Sequence, residues 1–199
     1  MNIIFDLGGV VITWDPDAFV ADVFTDRKIQ KVARKHILDH DDWIEMDRGT
    51  LSKSDAIKRG TERSGLPESE VKRLMLAIPY FLTPIEKTVQ LVRELKESHN
   101  KLFVLSNLHP ESIAHLEQEY SFLNLFHGKV ISCRIHKVKP DADIYKHLID
   151  SYQLDINDSV FIDDVTINLD AAAAIGIKTI KFENPDQCRQ QLEALGCLS

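Results

Sequence analysis

Four short polar groups each follow an apolar run of the chain, and their residue types suit the transfer of a phosphoryl group. The groups are Asp6, Ser106-Asn107, Lys139 and Asp163-Asp164. An aspartate such as Asp6 can accept a phosphoryl group as an acyl phosphate. Ser106 and Asn107 can donate hydrogen bonds to the oxygens of that group. The four groups together therefore make a coherent set for phosphoryl transfer.

The acidic residues of this set call for a cation. Asp6, Asp163 and Asp164 would crowd their negative charges around a dianionic phosphate, which is strongly repulsive when nothing screens it. Mg²⁺ accepts carboxylate and phosphate oxygens as ligands and relieves this repulsion. Lys139 adds positive charge toward the nucleophile and the transferring group. The sequence therefore predicts Mg²⁺ as cofactor.

Five strand-like apolar runs, separated by helical patterns, must position these groups. The runs cover residues 2–5, 101–105, 129–132, 159–162 and 178–182, and the helical patterns cover 85–96, 110–118, 142–152, 167–174 and 185–195. Strands that alternate with helices of about ten residues are typical of βαβ units. The predicted fold class is therefore α/β, with a doubly wound, mostly parallel sheet. The carboxyl ends of parallel strands lie at one edge, so the four polar groups should meet in one crevice.

One segment breaks the alternation. Residues 16–83 contain no convincing strand and are rich in helix formers, with helical patterns over 26–40, 52–63 and 68–76 and Ser52 as a helix N-cap. We expect this segment to be a helical cap, inserted after the first strand and lying over the carboxyl ends of the strands. Residues 1–15 and 84–199 would then form the catalytic core.

The composition narrows the class of partner. The chain has 199 residues, a net charge of −7 and a pI near 5.6, which argues against nucleic acid or an anionic membrane as partner. The three cysteines have no paired spacing, which favours reduced thiols. The sequence also shows no secretory signal pattern and no apolar stretch of about 20 residues, so we expect a cytoplasmic protein. The sequence determines no oligomeric state, and a monomer is consistent with it.

The order of the motifs resembles a known family. The sequence FDLGGV, then VLSN, then KP, then FIDD, with a helical insert after the first strand, is similar to the haloacid dehalogenase superfamily over nearly the whole chain. Within it, the chain looks most like the small bacterial phosphatases that act on alpha-D-glucose 1-phosphate. It is also similar to the phosphatase-like N-terminal domain of soluble epoxide hydrolases. The resemblance implies a Rossmann-like core and hydrolysis through an aspartyl phosphate.

The resemblance also implies roles for the residues that bind substrate. Asp6 would be the nucleophile and a metal ligand. Ser106 and Asn107 would hold the phosphate, and Lys139 would neutralise charge at the reacting group.

The metal site implied by the resemblance uses the remaining acidic pair. Asp164 would be the main ligand with Asp163 supporting it, and Asn168 would stand in the outer shell of Asp164. The residue two positions after the nucleophile offers its backbone carbonyl to the metal in this family, and Gly8 can still do so.

Gly8 departs from the family pattern in one respect. Most phosphatases of the superfamily carry aspartate there to protonate the leaving oxygen and later to activate water. General acid/base help is worth about 10²–10⁴-fold, so three explanations stay open. A cap residue, water or a good leaving group replaces the aspartate; or the protein is a dehalogenase; or catalysis has been lost.

Two further places are candidates for substrate contact. The cap stretch with Trp43, Glu45 and Asp47-Arg48-Gly49 is a candidate substrate-facing element, in which Arg48 would meet a sugar or acidic group or form an ion pair within the cap. His109 follows Ser106-Asn107 closely enough to reach a substrate.

We therefore expect a hydrolase of a small phosphorylated metabolite, with sugar phosphates favoured by the resemblance alone. The alternatives are a catalytically impaired phosphate-binding member of the same family, a 2-haloacid dehalogenase, or a receiver-like phosphate-sensing module. The dehalogenase fits less well because it binds no metal and gains nothing from two adjacent carboxylates. The receiver-like module fits less well because its acidic pair follows the first strand.

Overall fold

A five-stranded sheet lies at the centre of the computed structural model, which describes residues 1–198. All neighbouring strands are parallel, in the order β3-β2-β1-β4-β5. The strands are β1 (Asn2–Phe5), β2 (Lys101–Ser106), β3 (Gly128–Ile131), β4 (Ser159–Asp163) and β5 (Lys178–Lys181). The predicted α/β class and parallel sheet are confirmed. The strand order reverses between β1 and β4, the place where open sheets of this kind bind ligands.

Helices cover both faces of the sheet. They are α6 (Glu86–Glu97), α7 (Pro110–Glu119), α8 (Ser132–Ile135), α9 (Ala142–Tyr152), α10 (Thr166–Ala174) and α11 (Pro185–Ala194). In β1, Ile3 and Phe5 pack into the core on one face, while Ile4 packs into a separate core on the other with Tyr145. A strand buried on both faces is mostly apolar, which is why β1 and β4 read as apolar runs, whereas the edge strand β5 keeps Lys178 and Lys181 exposed.

Five further α-helices lie between β1 and α6. They are α1 (Pro16–Val23), α2 (Arg27–Ala33), α3 (Asp41–Arg48), α4 (Lys53–Ser64) and α5 (Glu68–Phe81), with a π-helical stretch over Arg34–Leu38. We call residues 16–81 the helical segment. Its buried apolar side chains, including Phe19, Leu74 and Ile78, form a hydrophobic core of their own.

Two local expectations for this segment have different outcomes. Ser52 is the N-cap of α4 as predicted, because its Oγ accepts a hydrogen bond of 3.1 Å from the Asp55 amide. The predicted end of the last helix at residue 76 was wrong. The helix continues through Pro79 to Phe81 because Ile78 is buried in the core of the segment. That burial offsets the hydrogen bond that proline cannot donate.

Two chain connections join the helical segment to the rest of the molecule. They run side by side, with a hydrogen bond of 2.7 Å from the Thr13 amide to the Thr83 carbonyl and one of 2.8 Å from the Ile85 amide to the Val11 carbonyl. The division into a core of residues 1–15 and 84–199 and a cap of residues 16–83 stays a prediction.

Two smaller points bear on the sequence analysis. Within residues 1–198, no helix combines the length and the apolar character needed to cross a membrane. The three cysteines, Cys133, Cys188 and Cys197, are buried and free.

Candidate active site

A cavity of about 180 Å³ opens at the carboxyl ends of the central strands, beneath the helical segment. Asp6, which follows β1, and Asp164, which follows β4, line it together with Asn107 and Lys139. The helical segment contributes Trp43, Asp47 and Ile78 to the same cavity. The structure therefore brings polar groups from separate parts of the sequence into one place.

Lys139 lies at the centre of the charged groups. Its Nζ is 2.9 Å from Asp6 Oδ2 and 2.7 Å from Asp163 Oδ2, and its side chain is only 1% exposed. Burial favours the neutral amine, but the two carboxylates raise the pKa of Lys139 above its ordinary value. The lysine is therefore a fixed positive charge between these two aspartates.

Asn107 holds the backbone of Lys139. Its Oδ1 accepts a 2.9 Å hydrogen bond from the Lys139 amide, and its Nδ2 donates a 3.0 Å bond to the Lys139 carbonyl. Only one N–H of the Asn107 side chain remains for a ligand. The structure thus places Asn107 at the cavity and also gives it a positioning contact that the sequence did not predict.

Asp163 and Asp164 are adjacent but have different surroundings. Asp163 is fully buried, and it accepts hydrogen bonds from the Val165 amide at 2.7 Å and from Asn168 Nδ2 at 3.1 and 3.2 Å, besides its contact with Lys139. Among the described residues, no side chain donates a hydrogen bond to the Asp164 carboxylate. Asp164 is therefore the carboxylate with ligand capacity to spare. Asn168 contacts Asp163, not Asp164 as the sequence analysis expected: its Nδ2 donates to both oxygens of the fully buried Asp163, whereas Asp164 lines the cavity.

The loop after β1 brings Asp164 close to the backbone. Gly9 has φ +73°, and a Cβ built on it would lie 2.7 Å from Asp164 Cγ, so any other residue there would be strained and would displace the Asp164 carboxylate. The Leu7 carbonyl accepts hydrogen bonds from three amides of this loop, whereas the Gly8 carbonyl is used by none of the loop's backbone hydrogen bonds. Gly8 lines the cavity, as a backbone ligand for a metal would have to.

Ser106 carries a hydroxyl without a partner. It ends β2 and is 1% exposed, and its Oγ makes no hydrogen bond within residues 1–198. The hydroxyl nevertheless lies near enough to the Asp6 carboxylate to lower its pKa. A buried hydroxyl without a partner is costly unless a ligand completes it, and a phosphate oxygen would do so.

The electrostatics of the cavity show an excess of negative charge. Burial, opposed by Lys139 and reinforced by Asp163, raises the pKa of Asp6 to about 7. Burial and the neighbouring Asp163 also raise the pKa of Asp164. Burial and the charge of Asp6 raise the pKa of Asp47 to about 7. One lysine does not compensate these carboxylates.

The donor set fits a hard divalent cation. Oxygens of Asp6, Asp163 and Asp164 lie within 4.8 Å of one another, and all three are carboxylates of the kind that Mg²⁺ prefers. Burial, followed by the charge of Asp163, raises the pKa values of Asp6 and Asp164, and a bound cation would favour the ionised form of both carboxylates.

Three aromatic side chains border the cavity, and of these only Trp14 was not singled out by the sequence analysis. Trp14 and Trp43 stack with their ring centroids 5.4 Å apart, and Trp43 also contacts the His109 ring. His109 is buried, its Nδ1 has no partner among residues 1–198, and burial lowers its pKa to about 4. No spacing in the sequence indicates the tryptophan pair, because it forms only when the segment packs on the loop after β1.

Only some residues of the stretch 43–49, which was expected to face the substrate, lie at the cavity. Trp43 and Asp47 line the cavity. Arg48 forms ion pairs of 3.3 Å with both Glu45 and Asp141. The pair with Glu45 is the ion pair within the cap that was one of the two expectations for Arg48. The pair with Asp141 also connects the helical segment to the residue before α9.

Comparison with known proteins extends these observations. The family model of the haloacid dehalogenase-like hydrolases matches residues 3–182. A sesquiterpene phosphatase from Aspergillus oryzae is 25% identical over 195 residues, covering 98% of this chain and 96% of the relative. A D-ribitol-5-phosphate phosphatase from Bacteroides thetaiotaomicron is 25% identical over 211 residues, covering 98% of this chain and 97% of the relative. Five further relatives are longer proteins, of which the chain spans 35% or less.

A solved structure shares the fold. It is a HAD family enzyme from Bacteroides thetaiotaomicron in complex with magnesium and inorganic phosphate, with a TM-score of 0.72 and 22% identity over 92% of this chain and 93% of that one. The predicted family is confirmed by the model match over most of the chain. The protein is a member of the haloacid dehalogenase-like hydrolase family.

Proposed function

We propose that the protein is a Mg²⁺-dependent phosphatase that hydrolyses a small phosphorylated metabolite through an aspartyl phosphate on Asp6. One observation carries the proposal: the Asp6 carboxylate lines the cavity, 2.9 Å from Lys139 Nζ and beside the unpartnered hydroxyl of Ser106. The two phosphatases related to the whole length of this chain support it.

In this proposal each residue has one task. Asp6 attacks phosphorus and takes the phosphoryl group as an acyl phosphate. Ser106 and the free N–H of Asn107 donate hydrogen bonds to the equatorial oxygens, and Lys139 offsets the charge that develops on them. Asp163 keeps Lys139 in place through its 2.7 Å contact.

A metal site formed by Asp6, Asp164 and the Gly8 carbonyl, with Asp163 behind it, would hold Mg²⁺. When bound, Mg²⁺ supplies positive charge to the nucleophile and the phosphate oxygens. The uncompensated carboxylates described above support this part of the proposal.

The leaving group would lie against the helical segment, which we propose acts as a cap that closes over the substrate and excludes water. Sugar phosphates are the leading substrate class. A small cavity with a tryptophan face suits a compact ring, and a relative acts on a polyol phosphate by its name. Phosphate esters of apolar alcohols are the second class, because Ile78, Leu82 and Leu108 share the cavity wall.

A panel of phosphate esters tests this function. Sugar, polyol and prenyl phosphates would be incubated with excess Mg²⁺ and, in parallel, with EDTA, and released phosphate would be measured. We expect Mg²⁺-dependent turnover of at least one ester, and comparison of the esters ranks the two classes. Absence of turnover of every ester, with Mg²⁺ still bound, would instead favour the impaired phosphate-binding member. Release of halide from a 2-haloacid would favour the dehalogenase.

A further inference from the structure

The cavity contains one carboxyl group to which the proposed chemistry gives no task. Gly8 has no side chain, so the proton for the leaving oxygen must come from elsewhere. Among the residues that line the cavity, the carboxylic acids are Asp6, Asp47 and Asp164. Asp6 is the proposed nucleophile and Asp164 the proposed metal ligand. Asp47, which the helical segment contributes, remains.

The other titratable groups of the cavity suit the task poorly. Lys139 is held between two carboxylates, and its raised pKa makes it a weak proton donor at neutral pH. His109 has a pKa lowered to about 4 by burial, so its imidazole is neutral and carries no proton it readily gives up.

Contacts with the core fix the position of Asp47. Ser132, the residue after β3, donates a hydrogen bond from its Oγ to the Asp47 carbonyl. His136 Nδ1 lies 3.0 Å from the Arg48 carbonyl. Gly49 has φ +76°, and a Cβ on it would lie 2.7 Å from the Cys133 carbonyl, so the end of α3 packs closely against α8. These contacts hold α3 with its Asp47 side chain over the cavity.

The surroundings of Asp47 resemble those of general acids in enzymes. The residue is 7% exposed, and within residues 1–198 it forms no ion pair. Desolvation and the nearby charge of Asp6 raise its pKa to about 7, whereas Lys139 and the His109 amide oppose the rise. A carboxyl group with a pKa near the working pH exchanges protons most effectively in both directions.

We propose that Asp47 is the general acid/base of the reaction, taking the role that the family gives to the residue at position 8. The inference rests on the proposed function. In the first step the Asp6 oxygen bonds to phosphorus, the ester P–O bond breaks, and the Asp47 proton moves to the leaving oxygen. In the second, the Asp47 carboxylate takes a proton from water, the water oxygen bonds to phosphorus, and the bond between phosphorus and the Asp6 oxygen breaks. The products are the alcohol, phosphate and the starting form of the enzyme.

Leaving-group dependence tests this role. The Asp47→Asn variant and the unaltered protein would be compared on an alkyl phosphate and on an aryl phosphate whose phenolate leaves without protonation. For the alkyl ester, kcat/KM should fall about 10²–10⁴-fold, and for the aryl ester it should fall by less than about tenfold. The aryl ester should also show a burst of phenol followed by slow turnover, because the second step lacks its base.

Two further variants separate this role from a structural one. Asp42→Asn, on the same helix, breaks contacts of 3.1 and 2.8 Å with Arg59 and Arg63, so it perturbs α3 without changing the ratio of the two esters. Gly8→Asp in the Asp47→Asn background should recover at least tenfold on the alkyl ester. There is room for the Cβ of this side chain, which would meet only Trp14 Cβ at 3.7 Å and Trp14 Cγ at 4.0 Å, and Gly8 lines the cavity into which the carboxyl group would extend.

The outcomes are distinguishable. Equal losses on both esters, with no burst, would overturn the role of Asp47, as would full alkyl-ester activity in Asp47→Asn. Absence of turnover of both esters by the unaltered protein would overturn the proposed function itself. If Asp47→Asn were unstable, a burst in the aryl-ester reaction of Asp47→Ser would serve as the same test.

Discussion

Replacing the proposed nucleophile should stabilise the metal-free protein. The folded state raises the pKa of Asp6 from 3.8 to about 7, so the folded state disfavours the ionised carboxylate. Above the folded pKa the carboxylate is ionised in both states, and a difference of about three pKa units corresponds to about 4 kcal/mol at about 1.4 kcal/mol per unit. The side chain introduced by Asp6→Asn would carry no charge, and Lys139 would keep Asp163 as a partner at 2.7 Å.

Because the pKa of Asp6 is raised in the folded state, its effect on the free energy of unfolding depends on pH. The stability associated with Asp6 is complete below pH 3.8 and is lost as the pH rises through about 7. Asp6→Asn should therefore exceed the unaltered protein in the free energy of unfolding by about 4 kcal/mol at about pH 8, and by little at about pH 4. Excess Mg²⁺ should narrow the gap, by about 2.7 kcal/mol at 100 times its Kd.

Urea unfolding in EDTA, followed by fluorescence at both pH values, measures this difference. Asp150→Asn serves as the control, because Asp150 is exposed on α9 and forms no ion pair within residues 1–198. If Asp6→Asn were less stable than the unaltered protein at about pH 8, or if the gap did not shrink as the pH fell, the charge excess inferred for the cavity would be wrong.

Two other substitutions test the geometry of the site. Gly9→Ala should lower Mg²⁺ affinity more than about tenfold, because the alanine Cβ would overlap the Asp164 carboxylate. Gly65→Ala is the control, because Gly65 has φ +70° but no atom lies within 4 Å of a Cβ built there. It should lower the free energy of unfolding by only about 1–2 kcal/mol. Calorimetric titration with Mg²⁺ measures the first and urea unfolding the second, and equal Mg²⁺ affinities in both variants would contradict the role of Gly9. Lys139→Met should destabilise the protein by about 3–5 kcal/mol at neutral pH because two buried carboxylates lose their partner, and Asp163→Asn added to it should recover part of the loss in the same unfolding assay. No recovery would show that the loss comes from packing and not from charge.

The sheet and the placement of the site could be predicted from the sequence for one physical reason. Strands buried on both faces are mostly apolar, so the first polar residue after each run marks its carboxyl end. Asp6, Ser106 and Asp163, with Asp164 directly after it, could be placed at one edge in this way. The family followed from the order of these motifs.

Distinctions within the site depended on packing that the sequence does not encode locally. Asp163 and Asp164 are neighbours of the same type, yet Lys139 and Asn168 saturate only the first. Asn107 looked like a phosphate ligand, and its pairing with the Lys139 backbone links residues that lie 32 positions apart. Asp47 lies in the stretch that the sequence analysis expected to face the substrate, but its separate role depends on the docking of α3 against α8, which brings its carboxyl group to the cavity.

The measurement that tests the central claim most directly is mass spectrometry of the protein after rapid acid quench during turnover. We expect one added phosphoryl group on the peptide that contains Asp6, formed in the presence of Mg²⁺, absent in EDTA and absent in Asp6→Asn. Turnover without any phosphorylated protein, or a phosphoryl group on another residue, would contradict the proposed aspartyl phosphate.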